Sequence, residues 1–167
     1  MQRISDRPKY QPSEDAVADA WWWGGLACSV AGLALVVWGY GALPAEVPIH
    51  YRMDGTPDRM GGKWHIVVQA MLGFGMWYGL QALARVPHAF NYPADVTAKN
   101  SEAFYRSGRR LVLSVGASSS ALFAAMVFTS IQRAQGLPDF GLIFWAIGAM
   151  LAAILGGLWQ AKRLAKR

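Results

Sequence analysis

Four apolar blocks, each about twenty residues long and free of Asp, Glu, Lys and Arg, leave this chain very few folds. They cover about 21–42, 64–84, 111–131 and 140–160. A helix needs about 20 mostly apolar residues to cross roughly 30 Å of hydrocarbon. Inside lipid every backbone N–H and C=O must find its partner within the segment, so a helix is the form each block takes. Over the whole chain charge is scarce: 16% of all residues carry it, against about 25% in soluble domains. A disordered chain is thereby excluded and an ordinary soluble domain argued against. The expected fold is an all-α integral membrane protein, a bundle of four transmembrane helices.

The block ends carry interfacial chemistry. Trp21, Trp22 and Trp23 stand at one end of the first block, with Trp38 and Tyr40 near the other. Sixteen residues from Trp22 to Trp38 span about 24 Å of helix, the separation of two aromatic belts. Trp145 and Trp159 bracket the fourth block in the same way. A cleavable signal peptide is a poor reading of the first block, because its flank is polar and holds Asp6, Glu14, Asp15 and Asp19. The single cysteine, Cys28, allows no intrachain disulfide and no cysteine-based metal site.

Positive charge sets orientation. The segments 1–19, 85–110 and 162–167 hold twelve Lys and Arg residues, while 43–63 and the third connection hold four. Both termini are therefore expected on the cytoplasmic side of the membrane. The reading divides the chain into a cytoplasmic tail (1–19), one membrane domain (20–161) and a basic cytoplasmic tail (162–167). Within the domain, 43–63 is the outer loop and 85–110 a cytoplasmic connection. The net charge of +6 reads as topology and attraction to anionic lipids, with Arg106, Arg109, Arg110, Lys162 and Arg163 placed at head groups. No nucleic-acid-reading motif accompanies it.

Close approach of helices in lipid relies on small residues. Candidate packing stripes are Gly24, Cys28 and Gly32 in the first block, and Gly75 and Gly79 in the second. In the fourth they are Gly148, Ala152 and Gly156. They serve internal packing or a homo-oligomer face. No ionisable residue lies at mid-membrane depth, which argues against a proton pump or ion channel. In the connection, Thr97 is the expected N-cap of a helix running on through Glu102 and Tyr105 into the third block.

The outer loop is the distinctive segment. Pro44, Pro48 and Pro57 forbid a continuous helix, 47–53 is extended in character, and Asp54-Gly55-Thr56-Pro57-Asp58 is a turn signal. The expected object is a small ordered hairpin or extended cap. Its residues Leu43-Pro44-x-x-Val47-Pro48-x-His50-Tyr51-x-x-x-Gly55-x-x-Asp58-x-x-Gly61-Gly62-Lys63 resemble the signature of an uncharacterised bacterial membrane domain. That domain forms the N-terminal part of SdpI-type immunity proteins. Tyr51 replaces a Phe of the family pattern and Gly62 a Ser. Asn91-Tyr92-Pro93, Thr97, Asn100 and Tyr105-Arg106 extend the likeness, which covers roughly 20–131. The resemblance implies a small relative of the first half of those proteins.

His50, Tyr51, Asp54, Asp58 and Lys63 are accordingly the candidate recognition residues. Their bland reading is that His50 and Asp58 bond loop backbone while Lys63 meets a carboxylate or a head group. His50, Asp54 and Asp58 are donors that suit Zn or Mn, but their spacing matches no dedicated metal motif, and no cofactor is expected. No Ser-His-Asp constellation points to nucleophilic catalysis. The leading expectation is a non-enzymatic membrane protein that engages a peptide, lipid or protein partner through this loop. An accessory subunit of a larger membrane complex and a metal-dependent membrane enzyme are the alternatives.

Overall fold

A computed structural model describes residues 3–10, 12–52, 56–138 and 141–166. Four helices carry the chain: α1 (Ala16–Gly39), α2 (Trp64–Leu83), α3 (Ser101–Ala134) and α4 (Leu142–Ala165). All four are long and apolar enough to cross a membrane. Between α1 and α2 stands a two-stranded antiparallel hairpin, β1 (Glu46–Tyr51) and β2 (Pro57–Gly62). The expected ordered loop is thus a hairpin, and the molecule is mostly rather than wholly helical.

Helix α1 starts five residues before its apolar block, because Asp15 caps it. The Asp15 carboxylate accepts from the backbone N–H groups of Val17 at 3.1 Å and Ala18 at 3.4 Å. The expected cap of α3 needs correction. Asn100, not Thr97, occupies the N-cap position, and its side-chain oxygen reaches back to accept the Thr97 N–H at 2.8 Å. At the far end of α3, Gly136 takes φ +70°, which lets the Leu137 N–H reach back to the Gln132 carbonyl at 2.9 Å.

The helices do not form an evenly closed four-helix bundle. Helix α3 packs against α1, α2 and α4, whereas α4 makes its extensive contacts with α3. None of the described residues of α4 is buried, although it is the most apolar of the four. Phe144, Trp145, Leu155 and Trp159 stand exposed along it. Water does not tolerate so continuous an apolar surface on a monomer. This inversion, with the oiliest helix outermost, is the arrangement suited to a lipid solvent.

The seam of α1 follows a different period from the expected small-residue stripe. Ala18, Trp22, Gly25, Ser29, Gly32, Val36 and Gly39 face inward, at alternating spacings of four and three. That is a heptad seam, which stays on one side of a helix with only about 20° of drift per repeat. A strict four-residue stripe rotates away sooner. A Cβ on Gly25 would lie 2.5 Å from Trp77 Cδ1, and one on Gly39 2.9 Å from Ile131 Cδ1. Gly32, the shared member of both patterns, packs on Ala124. Gly24, Gly75, Gly79, Gly148 and Gly156 have open space where a Cβ would go, and Ala152 is exposed. Cys28 is half-buried. The close approaches instead use Gly73 against Phe123 and Gly157 against Leu111.

Polar groups inside the helix packing are tied to one another. The Ser29 hydroxyl donates to Ser120 Oγ at 3.1 Å, and the Ser120 hydroxyl donates to the Gly116 carbonyl at 3.0 Å. In a medium without water such bonds replace solvation the groups would otherwise lose.

Candidate functional site

The hairpin owes its position to its base. Leu43 and Val47 are buried in a cluster with Ile66, Ala70, Val127 and Ile131, which joins the hairpin to α2 and α3. The Lys63 N–H donates to the Ala45 carbonyl at 3.0 Å and ties the two ends of the loop. The Lys63 ammonium donates to the carbonyls of Tyr40 at 3.2 Å and Leu43 at 3.3 Å, and lies 4.6 Å from the centre of the Tyr40 ring. Tyr40 is the C-cap of α1 and Leu43 that of the short 3-10 turn Tyr40–Ala42 that follows, and helix C-termini favour a cation. Lys63 is therefore an anchor, and the expectation that it meets a carboxylate or head group is corrected.

The strands are irregular in a way that shapes the tip. Pairing runs Glu46 with Gly62, Val47 with Gly61, Pro48 with Met60, His50 with Arg59 and Tyr51 with Pro57. Ile49 and Asp58 are the extra residues, one on each strand, and bulges of this kind re-aim side chains. Ile49 swings toward Gly61, where a Cβ would come within 2.8 Å of its Cδ1. Across the same region His50 Nδ1 and Asp58 Oδ1 are 2.6 Å apart. The two residues thus bond each other, not loop backbone as the bland reading had it.

A carboxylate can only accept here, so the neutral His50 ring carries its proton on Nδ1 and keeps Nε2 as an acceptor. The His50 side chain is 65% exposed and that of Asp58 28%. A histidine oriented by a carboxylate, with its other nitrogen facing out, can accept a hydrogen bond or hold a proton for a bound group. Arg52, Arg59 and Met60 are exposed on the same hairpin. Asp54 and the Tyr51 side chain lie outside the described residues. Among the described residues no three His, Cys, Asp or Glu side chains gather as a metal-binding group. Behind the hairpin His65 stacks on Trp64 with ring centres 3.8 Å apart and donates through Nδ1 to the Gly62 carbonyl at 2.8 Å.

At the opposite end the N-terminal segment, expected to be a simple tail, is docked on α3. Arg110 grips Asp15 through two bonds, Nε to Oδ2 at 2.6 Å and Nη2 to Oδ1 at 2.7 Å. The Asp15 side chain is only 2% exposed, and the Arg110 guanidinium holds its carboxyl below the usual carboxylate range. Arg106 bonds Glu102 and the Ser13 hydroxyl. Buried Arg7 donates to the carbonyls of His88 at 3.1 Å and Phe90 at 2.6 Å. The Tyr105 hydroxyl donates to the Pro8 carbonyl at 2.7 Å. Tyr92 of the Asn-Tyr-Pro turn packs on Phe104 and Tyr105, and burial pushes its phenol well above the usual range. Arg106 and Arg110, assigned from sequence to lipid head groups, are thus engaged by carboxylates of the chain itself. Lys162 and Arg163 are exposed in the last turn of α4, with Arg163 4.6 Å from the Trp159 ring centre.

Sequence reasoning missed this docking. The signal was present: the heptad phase of α1 continues back through Ala18 to Asp15, marking a carboxylate on the inward face.

No curated protein and no solved structure matches the chain. Residues 28–75, from the middle of α1 through the hairpin to the middle of α2, match the family model described as a domain of unknown function (DUF1648).

Proposed function

We propose that this is a non-enzymatic protein of the bacterial inner membrane, related to the first domain of SdpI-type immunity proteins. In this reading its hairpin faces out of the cell and recognises a peptide or protein partner. The observation that carries the reading is the hairpin itself. Its base is locked into the helix ends by Val47 and Lys63 while the His50–Asp58 pair is held open to solvent. A rigid strand pair presenting a pre-oriented polar group binds without first paying an ordering cost. The matched segment, 28–75, centres on this hairpin.

Two measurements test it. Survival of cells challenged with membrane-active peptide toxins is compared with and without the chain, and with His50→Ala and Asp58→Ala. Protection lost in both variants at unchanged protein level supports the reading, and unchanged survival with no partner captured at the hairpin removes it. Topology is tested in a Cys28→Ala background by thiol labelling of Thr56→Cys and Lys99→Cys, both exposed positions. A cytoplasmic position 56 overturns the orientation.

A second reading, an accessory subunit of a larger membrane complex, is favoured by α4. Its exposed face carries Gly148 and Gly156 with nothing against them, a surface suited to close packing by another helix. Purification in mild detergent decides this: a stable stoichiometric partner supports it and a lone monomer or homodimer counts against it.

A further inference from the structure

Where the apolar blocks 64–84 and 140–160 end, α2, α3, α4 and the Asn-Tyr-Pro turn leave a cavity of about 620 Å³ between them. Small-molecule sites typically measure about 300–1,000 Å³. Most of the wall is apolar, with Phe90, Leu111 and Leu158 among its side chains. The wall is also preformed. The Tyr92 hydroxyl donates to the Pro87 carbonyl at 2.8 Å, and the Tyr92 ring packs on Phe104 with ring centres 5.3 Å apart.

Three polar side chains, Asn91, Ser107 and Lys162, interrupt the apolar lining. A serine inside a helix commonly turns its hydroxyl back to a carbonyl three or four residues earlier. On the same helix Ser101, Ser114 and Ser120 do so. Ser107 does not. It is 3% exposed, yet its hydroxyl bonds none of the described residues and is not among the atoms sealed inside the packing. Buried polar groups are ordinarily matched, so an open hydroxyl in a cavity wall marks the place of a polar group from outside the chain. Lys162 adds a positive charge. No Asp or Glu lines the cavity, and α4 carries none along its length to neutralise that charge. An apolar cavity with a cation, a hydroxyl and an amide in its wall complements an amphiphile with an acyl chain and an anionic head. Hydrogen bonds from an ammonium to phosphate oxygens are among the stronger ones.

We propose that this cavity binds one anionic phospholipid of the surrounding membrane, an acyl chain lying against Leu111 and Leu158 and the phosphate meeting Lys162. The position of the cavity favours a lipid over a soluble amphiphile. It sits where apolar helix gives way to charge, and Lys162 follows Trp159 of the aromatic belt by three residues, which is head-group depth in the membrane reading. The inference rests on that reading and not on the hairpin's role, and the hairpin lies at the other end of the molecule. Failure here therefore leaves the hairpin proposal standing, and the reverse holds as well.

The test uses the full chain in detergent and native mass spectrometry, titrating phosphatidylglycerol and, separately, phosphatidylethanolamine. Wild type is expected to retain one phosphatidylglycerol about tenfold more tightly than phosphatidylethanolamine, and Lys162→Gln to erase that preference. Ser107→Ala, which removes only the hydroxyl, is expected to weaken phosphatidylglycerol about threefold or more. Ala161→Phe puts a ring into the cavity that Ala161 lines and is expected to weaken both lipids. Arg163→Gln, whose guanidinium lies over the Trp159 ring, is expected to change neither. Unchanged thermal unfolding midpoints in the absence of lipid show that the variants are folded, and Lys162→Gln, at an exposed position, tests the proposal even where Ala161→Phe does not fold. Equal retention of the two lipids by wild type, or equal binding by wild type and Lys162→Gln, overturns the proposal. So does an equal loss in Arg163→Gln, which would show only the general attraction of a basic helix end.

Discussion

At the hairpin end a histidine meets an aspartate in a place open to solvent, and at the tail end an arginine meets an aspartate in one that is nearly closed. The bonds are equally short, 2.6 Å in each case. Their surroundings give them different work. Around His50 and Asp58 water competes for the same hydrogen bonds, so the pair adds little to stability. Around Asp15 and Arg110 little solvent competes, and removing one partner strands the other charge. One end leaves its polar pair open to solvent, and the other holds the N-terminal segment in place.

Breaking the buried pair gives the largest expected effect. Asp15→Ala removes both the partner of Arg110 and the cap of α1, and should cost about 3–5 kcal/mol in denaturant unfolding in detergent. A loss under about 1 kcal/mol would put the two ends on one footing. The same pair has a pH signature. Because the folded Asp15 carboxyl titrates below its ordinary value of 3.8, its contribution is full above that value. It is lost as pH falls through the lower folded value. Tryptophan fluorescence, with Trp22 two turns away, should report a stability loss below about pH 4 in wild type that Asp15→Asn lacks.

Helix packing sharpens the contrast next. Gly25→Leu drives a side chain into Trp77 and should cost about 1–3 kcal/mol. Gly24→Ala, one residue away in open space, should be neutral or stabilising by about 0.5–1 kcal/mol. Equal costs at the two positions would refute the heptad seam. The smallest stability effect is expected at the hairpin tip. His50→Ala and Asp58→Asn should each shift unfolding by under about 1 kcal/mol, while abolishing partner recognition. A large stability loss there would make the pair structural.

The existence and approximate limits of the four helices were legible because lipid compatibility depends only on local composition. A run such as 140–160 has to be apolar whatever it touches. The hairpin was legible for a similar reason, since Pro44, Pro48 and Pro57 act on their own backbone. Which small residues pack inside the chain was not legible. Gly24 and Gly75 share the chemistry of Gly25 and Gly73, and one residue of phase separates a glycine facing a neighbour from one facing outward. The candidate site was half legible: His50 and Asp58 were singled out, but their bond depends on bulges at Ile49 and Asp58 that no local pattern announces. Lys63 could not be assigned because its partners, the carbonyls of Tyr40 and Leu43, lie twenty residues and more away.

By itself the amino-acid sequence determined which segments are helical, which solvent suits them and where the chain must turn, because each of these follows from side chains acting on their own stretch of backbone. Only the tertiary structure decided that α3 is the centre, that α4 stays outermost, and that Arg110 holds Asp15 while Ser107 is left facing a cavity. Those outcomes depend on which of several similar groups come within about 3 Å of one another, a distance set by the packing of whole helices and not by any residue alone.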